Sequence, residues 1–208
     1  MTMHHTILSE TITYDGSQLH SHWIFERTGF VGDAIVAFCG PAAVNAVHMV
    51  DEEDRARSAW IHSDEMLHFI IEHFGVDLLH TVALQRLLMA IVAEEIGVQT
   101  AGVPLTQPSP QRERGADAQR FPAGRVYRRG NDLYDGENKL SVSIATVSPV
   151  STLIHAGINI LHTNTPVPTR GLHDYTIDPT AFAQQIITRY CDEVRGIAHA
   201  RAKVRAVR

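Results

Sequence analysis

Apolar and polar positions alternate most cleanly in the last third of the chain. Leu140, Val142 and Ile144 fall on one parity and Ser141, Ser143 and Ala145 on the other, the period of a half-buried strand. A second run repeats the pattern, with Ile154, Ala156, Ile158 and Ile160 on one side and His155, Gly157 and Asn159 on the other. Between them Ser148-Pro149 removes a ladder donor and favours a turn, so the two runs are expected to pair antiparallel. The expected sheet has one apolar face against helices. Its other face carries Ser141, Ser143, His155 and Asn159, the floor of a pocket for a polar ligand or, alternatively, a solvated surface.

Upstream the signals are shorter. Ile7 to Tyr14 reads as a first strand turning at Asp15-Gly16, and Ser17 to Arg27 as a segment that becomes helical by its end. Ala34 to Phe38 is a continuous apolar run, a buried strand broken by Gly40-Pro41. A helix is predicted from Ser63 or Asp64 as N-cap, with Met66, Phe69, Ile70 and Phe74 at helical spacing. A second follows, with Leu84, Leu87, Leu88, Ile91 and Val92 on one stripe and Gly97 as its stop. The last helix takes Asp178 as N-cap and Pro179 at its first position, and buries Phe182, Ile186, Tyr190 and Val194.

Thr100 to Gly124 is rich in Pro, Gln, Arg and Gly without an apolar period, and reads as a flexible insertion with no assigned function. Residues 199–208 form a basic tail, read as a frayed end. The 208 residues are read as a single domain, and a formal charge of -5 argues against a broadly basic nucleic-acid surface. Cys39 and Cys191, far apart and outside any CxxC, give no disulfide framework or zinc knuckle, which fits a reducing cytoplasm. No apolar run approaches the roughly 20 residues that span a bilayer, and Met1 to Glu10 lacks the plan of a signal peptide.

Several side chains are candidates for chemistry. His20 and His22 could offer two imidazoles to a metal, with His48, Asp51 or Glu52 as a third ligand, although 13 histidines make such a pair unsurprising. Cys39 is either an acyl-carrying nucleophile or a buried free thiol. His68 and His73 read as surface or core-edge residues, and Asp51 to Asp54 as a solvated helix start.

The segment from Arg125 to Ile160 carries a resemblance. Arg128, then Gly130-Asn131-Asp132-Leu133-Tyr134, Lys139-Leu140 and Ala156-Gly157-Ile158-Asn159 stand in the order seen in the catalytic core of biotin protein ligases. Ser21-His22-Trp23, a short helix and Gly32-Asp33-Ala34-Ile35-Val36-Ala37 are similar to the Ser-Thr-Asn segment and following strand of those enzymes. More closely, the combination TYDGSQLHSHW, GDAIVAFCG, MVDEED and KLSVSIATVSPVSTLIHAGINI resembles the family described as domain of unknown function 366, itself placed with biotin and lipoate ligases and class II synthetase cores.

The resemblance implies an α+β fold of the biotin/lipoate ligase type, a mixed and mainly antiparallel sheet backed by three or four helices. It implies a site in which Arg128 and Lys139 neutralise anionic oxygens and act as the catalytic cations. Asn131, Asp132 and Asn159 would fix the ligand's polar edges, while Ser21 and His22 line its carboxylate end. Ligases also carry a Gly-Arg-Gly-Arg-Arg-Gly loop after the Gly-Asp strand, where this chain has Phe38-Cys39-Gly40-Pro41-Ala42-Ala43-Val44. That departure puts phosphate binding in doubt.

The expected function is binding of a small carboxylate or nucleotide-like ligand, with adenylate-forming or acyl-transfer chemistry and ATP as the conceivable cofactor. The rivals are a non-catalytic binding module on the same fold and a metal-dependent enzyme using His20 and His22. The expected partner is a small molecule, with neither nucleic acid nor membrane, and a homodimer is compatible with the fold.

Overall fold

The computed structural model describes residues 3–101, 125–163, 165 and 167–207. The insertion inferred between Thr100 and Gly124 lies outside the described residues from position 102 onward. Five strands form the main sheet in the order β1-β2-β3-β8-β7. They are β1 (His4–Ile7), β2 (Ala34–Val44), β3 (Ile61–His73), β7 (Ser141–Val147) and β8 (Thr152–Asn159). Only β1 and β2 run parallel; the other three pairings are antiparallel. A smaller antiparallel sheet is built from β4 (Val126–Arg129), β5 (Asp132–Asp135) and β6 (Asn138–Lys139).

One face of the main sheet is covered by α3 (Leu78–Gln99) and α4 (Pro179–Ala202). Both start on aspartate caps: Asp77 accepts from the His80 amide at 2.7 Å and Asp178 from the Ala181 amide at 2.7 Å. Leu88, Met89, Val92, Phe182, Ile186 and Tyr190 pack there on Ile35, Leu67, Phe69, Ile71, Ile154 and Ile158. The other face meets Tyr14, Trp23 and Ile24, the last two from α1 (Trp23–Thr28). A short exposed helix, α2 (Glu52–Ala56), is capped by Asp51, which accepts from the amides of Glu53 and Asp54. The acidic run is therefore a helix start.

Six expectations are corrected. The first strand is His4–Ile7; residues 8–13 then run as an irregular strap beside β2, and Tyr14 bridges to Ala42. Strand β2 does not stop at Gly40-Pro41 but passes it on a register shift, which accommodates a proline without a ladder donor. The helix expected from Ser63 is strand β3, and His68 and His73, expected near the surface, are 0% and 1% exposed on it. This strand is buried on both faces, so its apolar run lacks alternation and mimics helical spacing. Gly97 does not end α3, which runs to Gln99, and the basic tail begins inside α4.

The strap explains one glycine. A Cβ on Gly40 would lie 2.1 Å from the Ile12 carbonyl oxygen, so only glycine lets the strap cross here and deliver Tyr14 to the sheet.

Candidate functional site

A cavity of about 430 Å³ opens over the β7–β8 end of the sheet. Its floor is Met66, Val142, Ile144, His155 and Asn159, with Tyr14 laid over it. The walls come from the chain between Val44 and Ser63, from Asn131, Asp132 and Lys139, and from Thr165, Val167 and Thr169.

His155 of the floor is paired with His68, which is buried behind it and does not line the cavity. His68 Nε2 lies 3.1 Å from the Gly40 carbonyl, which can only accept, so this nitrogen carries the proton. In neutral His68 the other nitrogen, Nδ1, is then an acceptor; it lies 3.0 Å from His155 Nε2, which must donate. His155 is left with Nδ1 as an acceptor. Gly157 makes the pairing possible, because a Cβ there would meet Met66 Cε at 2.9 Å and His68 Nδ1 at 3.4 Å. Burial lowers the His68 pKa to about 4, and burial with repulsion from His68 lowers His155 well below the ordinary histidine value. Tyr14 stacks on His155 with ring centroids 3.5 Å apart, and burial with the nearby Asp15 charge raises its phenol pKa.

The wall holds the charged pair. Lys139 Nζ is 2.8 Å from Asp132 Oδ2, and Asp132 is largely buried beside it, with the Ser143 backbone also acting on its carboxylate. Burial raises the Asp132 pKa against the opposing effect of Lys139. Burial works to lower the Lys139 pKa, but the Asp132 carboxylate outweighs it and the net direction is upward. Lysine is thus held charged at the cavity.

The remaining polar groups position this wall. The Ser141 hydroxyl accepts the Leu133 amide at 2.8 Å; the Ser143 hydroxyl accepts from Gln85 at 2.8 Å and donates to the Asn131 carbonyl at 2.6 Å. Asn131 Oδ1 accepts from Arg86 at 3.0 Å. Asn159 donates to the carbonyls of Lys139 and Arg170, each at 3.3 Å, tying the small sheet to the 167–171 segment. Asp135, 2% exposed, does the same by taking Arg170 at 3.1 Å and Tyr175 at 2.8 Å.

Asn131, Asp132, Lys139, Ser141, Ser143, His155 and Asn159 therefore all touch one cavity. They do not share one sheet face, as the alternation had suggested. Ser141 pairs with Ile158 and Ser143 with Ala156, so the serines stand on the helix-covered side, whereas His155 faces the cavity with Ile144. Paired residues of an antiparallel ladder point the same way, and the register, which the sequence pattern does not contain, sets the two runs one residue out of the expected phase.

Arg128 is not at the cavity. It is exposed on β4, and its guanidinium donates to the Gly130 carbonyl. Ser21 and His22 also stand apart: the His22 amide bonds Glu72, and its ring leans on Phe74 with centroids 5.7 Å apart. His20 instead contacts the Ser17 carbonyl and Glu26, and among the described residues no group of three or more ligating side chains gathers. Cys39 packs against the helix-side core, and burial raises its thiol pKa. The sequence reading missed His68 and Tyr14. Helical assignment of β3 concealed the first, and the strand assigned to Ile7–Tyr14 concealed the second.

This sheet order and small flanking sheet define the biotin/lipoate ligase fold. The chain is similar to a biotin protein ligase of Aquifex aeolicus in complex with biotin and ATP, at 13% identity and a TM-score of 0.55, covering 92% of this chain and 70% of that one. It is also similar to a T. acidophilum protein assigned provisionally as a lipoate protein ligase, with lipoic acid bound, at 13% identity, a TM-score of 0.53 and coverage of 93% and 86%. The particular family is narrower: the chain belongs to the family described as domain of unknown function DUF366, whose model matches residues 3–108 and 119–205. A protein of unknown function from Pyrococcus horikoshi matches at 34% identity over 100% of both chains with a TM-score of 0.82. An uncharacterised protein of Methanocaldococcus jannaschii is 28% identical over 193 residues, 90% of this chain and 77% of the relative.

Proposed function

We propose that the cavity binds a small carboxylate or nucleotide-like ligand, with its anionic oxygens at Lys139, and supports an adenylate-forming or acyl-transfer reaction there. The observation that carries this reading is the Lys139–Asp132 pair at the rim of a cavity of about 430 Å³, a volume suited to a small molecule. Lys139 is the one Lys or Arg among its described lining residues. The fold's occurrence in proteins solved with biotin and ATP or with lipoic acid supports the same class of ligand.

A second reading, a binding module without catalysis, is favoured by residues 38–44 of β2, which stand where the resemblance places the ligases' Gly-Arg loop and include no lysine or arginine. At the cavity wall beyond them stand Val44, His48, Met49 and Val50. They offer a phosphate no permanent cation.

One experiment separates the two. The protein is purified under native conditions, its co-purifying small molecule is identified by mass spectrometry, and labelled pyrophosphate exchange into ATP is measured with that molecule present. Exchange that Lys139→Met lowers by about 10²-fold or more marks the ligase, since such losses follow removal of a charge that stabilises the transition state. Binding that Lys139→Met weakens, without exchange, marks the module. Binding unaffected by Lys139→Met overturns both.

A further inference from the structure

A second cavity, of about 390 Å³, lies away from the first and shares no lining residue with it. Its walls include Phe25, Phe30, Val31, His22 and Phe74, and Glu72 stands at its base. Phe25 is 48% and Val31 76% exposed, so the mouth is open, while Glu72 is only 2% exposed.

Glu72 is held by neutral donors. Its Oε1 accepts the His22 amide at 2.9 Å and the Ser151 hydroxyl at 2.5 Å, and its Oε2 accepts the His22 amide at 3.2 Å. These bonds fix the carboxylate in place and bring it no formal charge. A buried carboxylate is ordinarily met by a cation, whereas among the described residues this one is bonded by an amide and a hydroxyl. The same bonds hold His22 at φ 67, a left-handed conformation uncommon for a non-glycine residue, and the ring leans on Phe74. The cavity thus joins aromatic walls to a fixed negative group. Ring faces carry negative quadrupole density and attract a cation that also reaches a carboxylate.

We propose that this second cavity binds a small organic ammonium ion, received by the rings of Phe25, Phe30 and Phe74 and the Glu72 carboxylate. The weakly hydrated, carbon-clad charge of an alkylated ammonium suits apolar walls, whereas a metal ion would need more oxygen ligands than Glu72 offers. The site is independent of the reading of the main cavity.

Two probes of nearly one shape test it, choline and its neutral isostere 3,3-dimethylbutan-1-ol, each titrated into the full chain and followed by NMR at the amides of Phe25, Glu72 and Phe74. Choline is expected to bind about tenfold tighter or more, the ratio that cation–π and carboxylate attraction together produce. Equal affinities would show a merely apolar groove, and absence of choline binding up to molar concentration would show no site; either overturns the proposal. Glu72→Gln keeps the shape and is expected to bring the ratio near one. Should that variant fail to fold, Phe25→Ala at the open mouth is expected to weaken choline several-fold, and unchanged choline affinity there overturns the proposal as well.

Discussion

The two faces of the main sheet differ more than the sequence suggests. At the centre of the helix-covered face, β2, β3 and β8 contribute Ile35, Ala37, Leu67, Phe69, Ile71, Ile154, Ala156 and Ile158, all apolar and all part of one core. The same strands send Met66, His68, Glu72, His155 and Asn159 to the other face, four of them polar and all buried. Buried polar groups cost stability unless each finds a partner. The helix-covered face is thus apolar at its centre, whereas the other face sets these buried polar groups beside a second apolar cluster of Val36, Phe38, Ile70, Trp23 and Ile24.

Phe69→Ala tests that division most severely. The ring is 0% exposed at the middle of the helix-covered face, and its removal is expected to cost about 3–5 kcal/mol through lost burial and an unfilled cavity. Equilibrium denaturant unfolding measures it. A cost under about 1 kcal/mol would mean that α3 and α4 close over the gap, and that the face is not the close-packed base inferred.

Acid tests the opposite face. His68 and His155 are held neutral in the folded protein, with His68 at a pKa of about 4, while the unfolded chain takes up protons near the ordinary value of 6.5. Between those limits the unfolded state binds more protons, so stability falls as pH falls from about 6.5 to about 4, by roughly 1.4 kcal/mol per pH unit for each proton excluded. The loss from His68 is complete once pH passes below its folded value. His155→Phe keeps a ring against Tyr14 and removes one of the two groups, so its denaturation midpoint is expected to change less steeply with pH in this window. An unchanged slope would mean that His155 is not the neutral partner the hydrogen bonds describe.

The limits of the sequence are physical. Asp178-Pro179 marked the start of α4 because capping and a proline at the first position are local effects, and Ser148-Pro149 marked a turn for the same reason. Lys139, Asp132 and Asn159 were legible as neighbours through a spaced motif, and all three line one cavity. The phase of β7 against β8 was not, because a shift of one residue leaves each strand's own alternation intact while exchanging the faces. His68 was hidden by the very burial that defines β3, since a strand covered on both sides carries no period. Tyr14 was hidden by distance: it reaches His155 because Gly40 lets the strap pass, a contact across 141 positions of sequence from Tyr14 to His155 with no local signature.

Arg128 gives the smallest and most discriminating expectation. By motif order it stood first among the candidate cations, yet its side chain is exposed on the outer strand of the small sheet and donates to the Gly130 carbonyl two residues away. Exposed side chains without a specific network contribute within about 0.5 kcal/mol, so Arg128→Ala is expected to leave the unfolding midpoint essentially unchanged. The same variant is expected to bind the main cavity's ligand as tightly as the parent, whereas Lys139→Met does not. Calorimetry on the co-purifying ligand compares the two directly. A loss in Arg128→Ala as large as that in Lys139→Met would mean that Arg128 reaches the ligand, and that the motif order had located the cation more truly than its place on β4.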